Sequence, residues 1–236
     1  MEFSGERVIE EATPERIWLD HVTRYEFASR YVKEKVVLDI ACGTGYGSIL
    51  VRRSGAKRVI GVDLSHEAID FARTKYKISE LEFTVGDILN IDFPGNYFDL
   101  VVCFETIEHV KNQEKAFSEL QRVLKPEGLL IISSPNRKLT SPGKSINDSP
   151  ANLFHTIEYS PSEFVLLLNK YFASIEVYGQ RAVNKLFLLP ILVNAMNRFF
   201  PGVYDPGKGS PNLKKVSLVN EYRYIIVVCI KCKNKP

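Results

Sequence analysis

The stretch Val36–Ser48 reads V-V-L-D-I-A-C-G-T-G-Y-G-S, an apolar run that holds a single acid, Asp39, and then breaks into glycines. A short apolar run of this kind suits a strand buried on both faces of a parallel sheet. Gly43, Gly45 and Gly47 follow at alternate positions. Glycine lets a tight turn bring its backbone against a ligand with no Cβ in the way. Ile49, Leu50 and Val51 then fit a helix starting near Tyr46. Strand, glycine turn and helix together open a nucleotide-binding α/β domain.

Upstream of this unit, residues 14–32 read as a helix, with Thr13 as N-cap, Pro14 in the first position and Glu15 in the first turn. Downstream, Arg58–Asp63 is a second strand ending in an acid, 20 residues beyond Gly43. Further strands are expected at Leu81–Val85, Tyr97–Cys103 and Leu129–Ser133, with helices at Ser65–Tyr76 and Gln113–Leu124 between them. Such alternation predicts a doubly wound parallel sheet. Residues 134–160, rich in Pro, Ser and Asn, are too long for an ordinary connection and read as a substrate loop. A helix over Pro161–Lys170, a strand over Phe172–Tyr178 and a closing strand over Tyr222–Ile230 complete the pattern. The apolar run Leu186–Val193, interrupted by Pro190, reads as a lid, with a homodimer contact or a peripheral membrane patch as further uses. The expected organisation is a single domain over 1–236, with a cap helix in 1–33, a core in 34–135, and substrate or lid insertions in 136–160 and 181–220.

Composition sets outer bounds. The chain has 236 residues, 45% hydrophobic and 25% charged, which is ordinary for a globular protein. It contains no apolar stretch of transmembrane length and no signal-peptide pattern, and its four cysteines form no disulfide framework, so a cytoplasmic setting is expected. Cys229-x-x-Cys232 without a second pair reads as two ordinary thiols. The net charge of +3 divides into −5 over residues 1–136 and +8 over residues 137–236. A basic second part favours an anionic substrate or surface, or is simply a solvated face.

The ligand follows from what the turn lacks. A dinucleotide fingerprint places its third glycine where Ser48 stands, and no basic residue in the turn awaits a pyrophosphate. Acids dominate instead: Asp39 before the turn, Asp63 after the second strand, Asp87 after the third. Carboxylates suit an amino group, a ribose diol and an adenine amine, which S-adenosylmethionine combines without a phosphate.

The motifs L-D-I-A-C-G-T-G-Y-G (38–47), V-D-L-S (62–65), G-D-I (86–88), F-D-L-V-V-C (98–103) and L-K-P-E-G (124–128) resemble, in order, those of class I S-adenosylmethionine-dependent methyltransferases. The resemblance covers about residues 20–180. It implies a Rossmann-like, doubly wound, seven-stranded sheet with an antiparallel last strand, here an N-terminal capping helix and C-terminal lid insertions besides. Carried over by position, Asp39, Gly43 and Gly45 would hold the methionine part, Gly47 would also bind the cofactor, Asp63 would hold the ribose hydroxyls, Leu64 would lie beside the adenine, and Asp87 and Ile88 would receive its edge and face. Phe104 and Glu105 would lie beneath the sulfonium, and Arg24 and Tyr25 are candidates to close the first helix over the cofactor, with a surface salt bridge and a core aromatic as their alternative roles.

Glu105, Glu108 and His109 stand at i, i+3 and i+4, one face if Thr106–Val110 is helical. E-x-x-E-H resembles the metal-binding motif of small-RNA 2′-O-methyltransferases and ubiquinone-pathway O-methyltransferases, and Phe154-His155-Thr-Ile-Glu158 is similar to their downstream histidine segment. This implies a Mg²⁺, Mn²⁺ or Zn²⁺ site at Glu105, Glu108, His109 and His155, with the oxygen ligands leaning toward harder ions. His109 or His155 acting as a metal-free catalytic base, or purely structural roles, remain the alternatives.

Gly5-Glu-Arg7, His21 to Ala28, Ser134-Pro-Asn136 and Phe154-His155 look like methyltransferases of bacterial glycan assembly. That looser resemblance implies O-methylation of a sugar hydroxyl in surface-polysaccharide biosynthesis, on a small-molecule or carrier-linked acceptor. Quinone or RNA 2′-O-methylation are the rivals, although no nucleic-acid-binding module is visible. An NAD-dependent sugar oxidoreductase fits the α/β pattern but not the glycine spacing, and a non-catalytic S-adenosylmethionine-binding protein would not need the acids and histidines.

Overall fold

Strand β1 (Val36–Ile40) shows why the sheet forms where it does. Val37 turns to one face and Leu38 and Ile40 to the other, and all three are buried. Period-two alternation with both faces apolar requires helices on both sides. The computed structural model of the chain describes residues 8–183, 198, 210–216 and 222–232.

The strands β2 (Arg58–Asp63), β3 (Leu81–Val85), β4 (Phe98–Cys103) and β5 (Leu124–Pro135) run parallel with β1. With β6 (Ser174–Ala182), β7 (Lys214–Lys215) and β8 (Tyr222–Ile230), the sheet order is β3-β2-β1-β4-β5-β8-β6-β7. β8 inserts antiparallel between β5 and β6, with Ile131 opposite Val228 and Val177 opposite Val227. The antiparallel last strand is therefore as expected. Among the described residues the count differs by one, because β7 adds two residues at the edge beside Tyr178 and Gly179.

One face packs on α1 (Glu15–Ala28), α2 (Tyr46–Arg53) and α3 (His66–Lys75) through Phe27, Ala28, Ile49, Val51, Ile69 and Ala72. The other packs on α4 (Gln113–Val123) and α6 (Pro161–Leu168) through Phe117, Leu120, Phe164 and Leu168. A short α5 (Arg137–Thr140) opens the long loop after β5.

Several boundaries depart from expectation for local reasons. Thr13 does not cap α1. Its Oγ1 accepts the Ile9 N–H at 2.7 Å, and Pro14 occupies the N-cap position. α1 tightens into a 3₁₀ turn at Ser29–Tyr31 instead of continuing to residue 32. β5 starts at Leu124 and ends at Pro135 because β4 and β8 give it pairing partners along most of that length. The expected lid over 181–220 and the run Leu186–Val193 lie largely outside the described residues.

Candidate active site

The C-terminal ends of β1, β2, β3 and β4 open into a cavity of about 980 Å³ roofed by α1. At the end of β1 the turn is tightly wound: Ala41, Gly43 and Gly45 all have positive φ. At Gly43 (φ +54°) an added Cβ would project into open space, so the backbone itself forms cavity wall. Gly43 N–H donates to Asp63 Oδ2 at 2.8 Å, and Ser65 N–H donates to Asp63 Oδ1 at 2.9 Å. The β2 acid is thus oriented by the β1 turn. Asp87 is held in the same manner, its Oδ1 accepting from Leu89 N–H at 2.9 Å. Leu64, though 70% exposed, stands on the cavity wall with the buried Ile88. Such an apolar side chain left open at a cavity is a surface for a flat ring to cover.

Four of the expected cofactor residues do not reach the cavity. Asp39 is fully buried; its Oδ1 accepts from the Tyr25 hydroxyl at 3.0 Å and its Oδ2 from Ser48 Oγ at 2.6 Å. It braces the turn from behind rather than lining it. Burial pushes its pKa up to about 7, against the pull of the Ser48 and Tyr25 hydrogen bonds. Gly45 and Gly47 serve packing, since a Cβ would fall 2.6 Å from the Phe83 ring and 2.0 Å from the Tyr25 ring, respectively. Arg24 is wholly buried, donating to Gln180 Oε1 at 2.9 Å, stacking over the Tyr224 ring and lying 3.8 Å from Glu105. Tyr25, Phe104 and Glu105 do line the cavity.

The roof brings residues that the sequence pattern had not singled out as site residues. His21 and Tyr46 share a 2.9 Å hydrogen bond on the wall. Burial depresses the His21 pKa well below its ordinary value, so the ring is neutral. Tyr46 packs on Trp18, at 4.8 Å between ring centroids, and on Tyr25 at 5.5 Å. Ile17, His21 and Tyr25 fall on one i, i+4, i+8 line of α1, the signal that could have marked this face. Arg223 and Tyr224 arrive from β8, far along the chain, with no local signal.

Beyond β4 the expected helix is a 3₁₀ turn, Ile107–His109, entered through Glu105 at φ +46°. A left-handed conformation at a non-glycine residue is strained, and such strain gathers at functional sites. Because the turn is not α-helical, Glu105 and Glu108 diverge. Glu105 Oε1 accepts from Ser133 Oγ at 2.7 Å, and Ser133 Oγ accepts the Glu105 N–H at 2.9 Å. Glu108, His109 and His155 instead converge, with ligand atoms within 4.8 Å of one another. Of the four residues expected to hold a metal, Glu108, His109 and His155 come together and Glu105 does not.

Main-chain bonds assemble this cluster. Glu108 O accepts from Thr156 N–H at 2.7 Å and from Ile157 N–H at 3.2 Å, which places His155 edge-on to His109 with centroids 4.9 Å apart. Asn152 Oδ1 accepts from Phe154 N–H, so its amide nitrogen donates to His155 Nε2 at 2.9 Å. The His155 proton is then on Nδ1, facing Glu158 Oε1 at 2.6 Å. Burial works to raise the Glu158 pKa, but bonds from His155, Thr140 and Ser141 outweigh it and hold the carboxyl below its usual value. His109 Nδ1 donates to Phe154 O at 3.1 Å, which puts the lone pair on Nε2. Glu108 is buried with no hydrogen-bond partner on Oε2, and burial, then the nearby Glu105 charge, raises its pKa well above normal.

Residues 38–132 match the methyltransferase domain family. A probable S-adenosylmethionine-dependent methyltransferase of Mycolicibacterium smegmatis is 35% identical over 166 residues, 70% of this chain and 62% of the relative. One of Mycobacterium tuberculosis is 34% identical over 178 residues, 75% of this chain and 63% of its own length. The fold of a Thermotoga maritima S-adenosylmethionine-dependent methyltransferase superposes with a TM-score of 0.64 at 20% identity, covering 92% of this chain and 94% of that one. A Pyrococcus horikoshii protein superposes at 0.65 with 25% identity, covering 97% and 96%.

Residues 38–132 thus carry the match to the methyltransferase domain family, and the mycobacterial relatives similar to this chain are described as S-adenosylmethionine-dependent. The chain spans less than two thirds of the length of these mycobacterial relatives. The family match ends inside β5, so it includes Asp63, Asp87 and the β4 turn but not His155, Arg223 or Tyr224. The wall fits the cofactor on its own chemistry. Gly43 presents bare backbone, Asp63 and Asp87 are oriented acceptors, and Leu64 and Ile88 are apolar surfaces for a ring.

Proposed function

We propose that this protein is an S-adenosylmethionine-dependent O-methyltransferase acting on a hydroxyl, with a sugar as the acceptor class. The observation that carries the reading is the His109–His155 pair on the same cavity wall as Asp63 and Asp87. Bound S-adenosylmethionine supplies an electrophilic methyl group. Asp63 and Asp87 accept from its ribose and adenine edges, and Leu64 and Ile88 cover the adenine. An amine acceptor needs no base beyond its own lone pair, whereas a hydroxyl must lose a proton as it reacts. His109 Nε2 takes that proton. The Glu158–His155–Asn152 chain fixes the neighbouring imidazole in one tautomer, as carboxylate-backed histidines do in other acid–base sites. Thr140, Asn152, Arg223 and Tyr224 add hydrogen-bonding groups to the wall, in keeping with a hydroxyl-rich acceptor.

A second reading has its own observation. The convergence of Glu108, His109 and His155, with Glu108 Oε2 lacking a partner, makes a three-ligand set for a divalent cation that would lower the acceptor hydroxyl pKa. Labelled-methyl transfer to nucleotide sugars and oligosaccharides, with Mg²⁺, Mn²⁺ or chelator, separates the two. His109→Gln should lower turnover about 10²–10⁴-fold while S-adenosylhomocysteine affinity by calorimetry stays within twofold of wild type. Chelator-resistant activity keeps the metal-free base and removes the cation. Activity in His109→Gln equal to wild type overturns both.

A further inference from the structure

Leu153 is 96% exposed and Phe154 59% exposed, adjacent in the chain at the mouth of the cavity that Phe154 lines. The turn carrying them is braced. Phe154 N–H donates to Asn152 Oδ1 at 3.0 Å, His155 N–H to Asn152 O at 3.2 Å, and Ala151 N–H to Ser141 Oγ at 2.8 Å. His109 Nδ1 donates to Phe154 O. The fold thus drives two large apolar side chains outward on a turn anchored to the histidine pair. Folded chains seldom present such a pair without a use for it. At that degree of exposure the tip is a knob and not a groove, and a fluid surface closes around a knob with no complementary shape. Charge selects the fluid. Residues 137–156 hold Arg137, Lys138 and Lys144 against Asp148 alone. Arg137 pairs with Glu163; Lys138, Lys144 (which donates to Ser149 O at 2.7 Å) and Lys111 on the cavity wall are exposed. An apolar tip on a segment with more basic than acidic residues matches the headgroup region of an anionic bilayer.

We propose that the Leu153–Phe154 tip inserts into the surface of an anionic phospholipid membrane, so that the cavity mouth opens on the bilayer and the acceptor is a membrane-borne amphiphile bearing a hydroxyl. The acceptor clause rests on the O-methyltransferase reading; the docking clause rests on the tip alone and is tested without turnover. The full chain is co-sedimented with phosphatidylcholine vesicles, with and without phosphatidylglycerol, at low and high salt. Wild type should partition onto the anionic vesicles and be released by salt. Leu153→Glu should lower that partition at least about tenfold, with the melting temperature and S-adenosylhomocysteine affinity unchanged because Leu153 touches neither core nor cavity wall. Phe154→Ser should lower partition as well. Failure of wild type to bind anionic vesicles, or equal binding by Leu153→Glu, overturns the proposal. So does sedimentation-velocity dimerisation that depends on Leu153 without vesicle binding, which would make the tip a contact between copies. Docking without hydroxyl methylation of any membrane amphiphile upholds the tip and overturns only the acceptor clause.

Discussion

Asp39 titrates in an unusual range because it is buried behind the glycine turn, where the Tyr25 and Ser48 hydroxyls donate to it. Its pKa is pushed up to about 7 by burial, whereas an unfolded aspartate sits near ~3.9. A folded-state acid with a raised pKa contributes stability that is complete below the unfolded value and lost as pH rises through the folded one. Asp39 therefore weakens the fold between about pH 4 and 7, by on the order of 4 kcal/mol. Asp39→Asn should flatten that part of the profile, as read by urea midpoints across pH 4–8 (about one point per unit); an unchanged slope would mean another group titrates there. Gly47 illustrates the same tightness. An added Cβ would fall 2.0 Å from the Tyr25 ring, so Gly47→Ala should cost about 1–3 kcal/mol by overpacking and weaken S-adenosylhomocysteine binding by displacing Tyr25 from the wall.

At the scale of elements, α4 holds the loop that carries Asp87 and Ile88. Glu119 Oε2 accepts from Ile91 N–H at 2.9 Å, and Arg122 donates to Phe93 O and Ile91 O, each at 2.7 Å. Arg122 also bonds Glu119 and holds its pKa at about 2. Glu119→Ala would leave a buried N–H without an acceptor, a loss of about 1–3 kcal/mol. Calorimetry should show weaker S-adenosylhomocysteine binding as well, although residue 119 is not on the cavity wall. Wild-type affinity in a destabilised variant would show that the loop keeps its shape unaided. The pair at i and i+3 looks, in sequence, like any exposed helix ion pair; only the packed loop gives it this role.

Across the whole molecule, α1 is fastened to the far edge of the sheet by buried polar groups. Gln180 bridges Arg24, the Asp20 carbonyl and Pro211 O, while Arg181 Nε meets Asp20 Oδ1 at 2.6 Å. Gln180→Leu removes the acceptor of a guanidinium that is already buried with Nε and Nη2 lacking hydrogen-bond partners. It should destabilise the fold by about 1–3 kcal/mol and loosen the roof, measured as faster amide exchange in 15–28 and weaker cofactor binding together. For wild type, S-adenosylhomocysteine at about 100 times its Kd should add about 2.7 kcal/mol to unfolding; no thermal shift would contradict the cavity assignment.

The glycine turn, the strand alternation and the acids at three strand ends needed only the chain to be read. Strand burial, turn conformation and strand-end position are local consequences of residue type, so β1 to β4, β8, Asp63, Asp87 and the methyltransferase class were legible. That Asp39 and Arg24 stand behind the cavity wall was not legible, because sequence order does not say which side of an element a side chain faces. Glu105 parts from Glu108, His109 and His155 for a similar reason: spacing E-x-x-E-H assumes an α-helix, and the 3₁₀ turn entered through Glu105 at φ +46° sends its carboxylate to Ser133. The meeting of His109 with His155 depends on main-chain bonds from residue 108 to residues 156 and 157. Those bonds close a long loop, and a contact of that kind is decided by the packing of the whole chain. The sequence by itself therefore determined the sheet, the methyltransferase class and the acids at the strand ends that line the cavity. The tertiary structure alone decided which histidines, carboxylates and apolar tip share the cavity mouth.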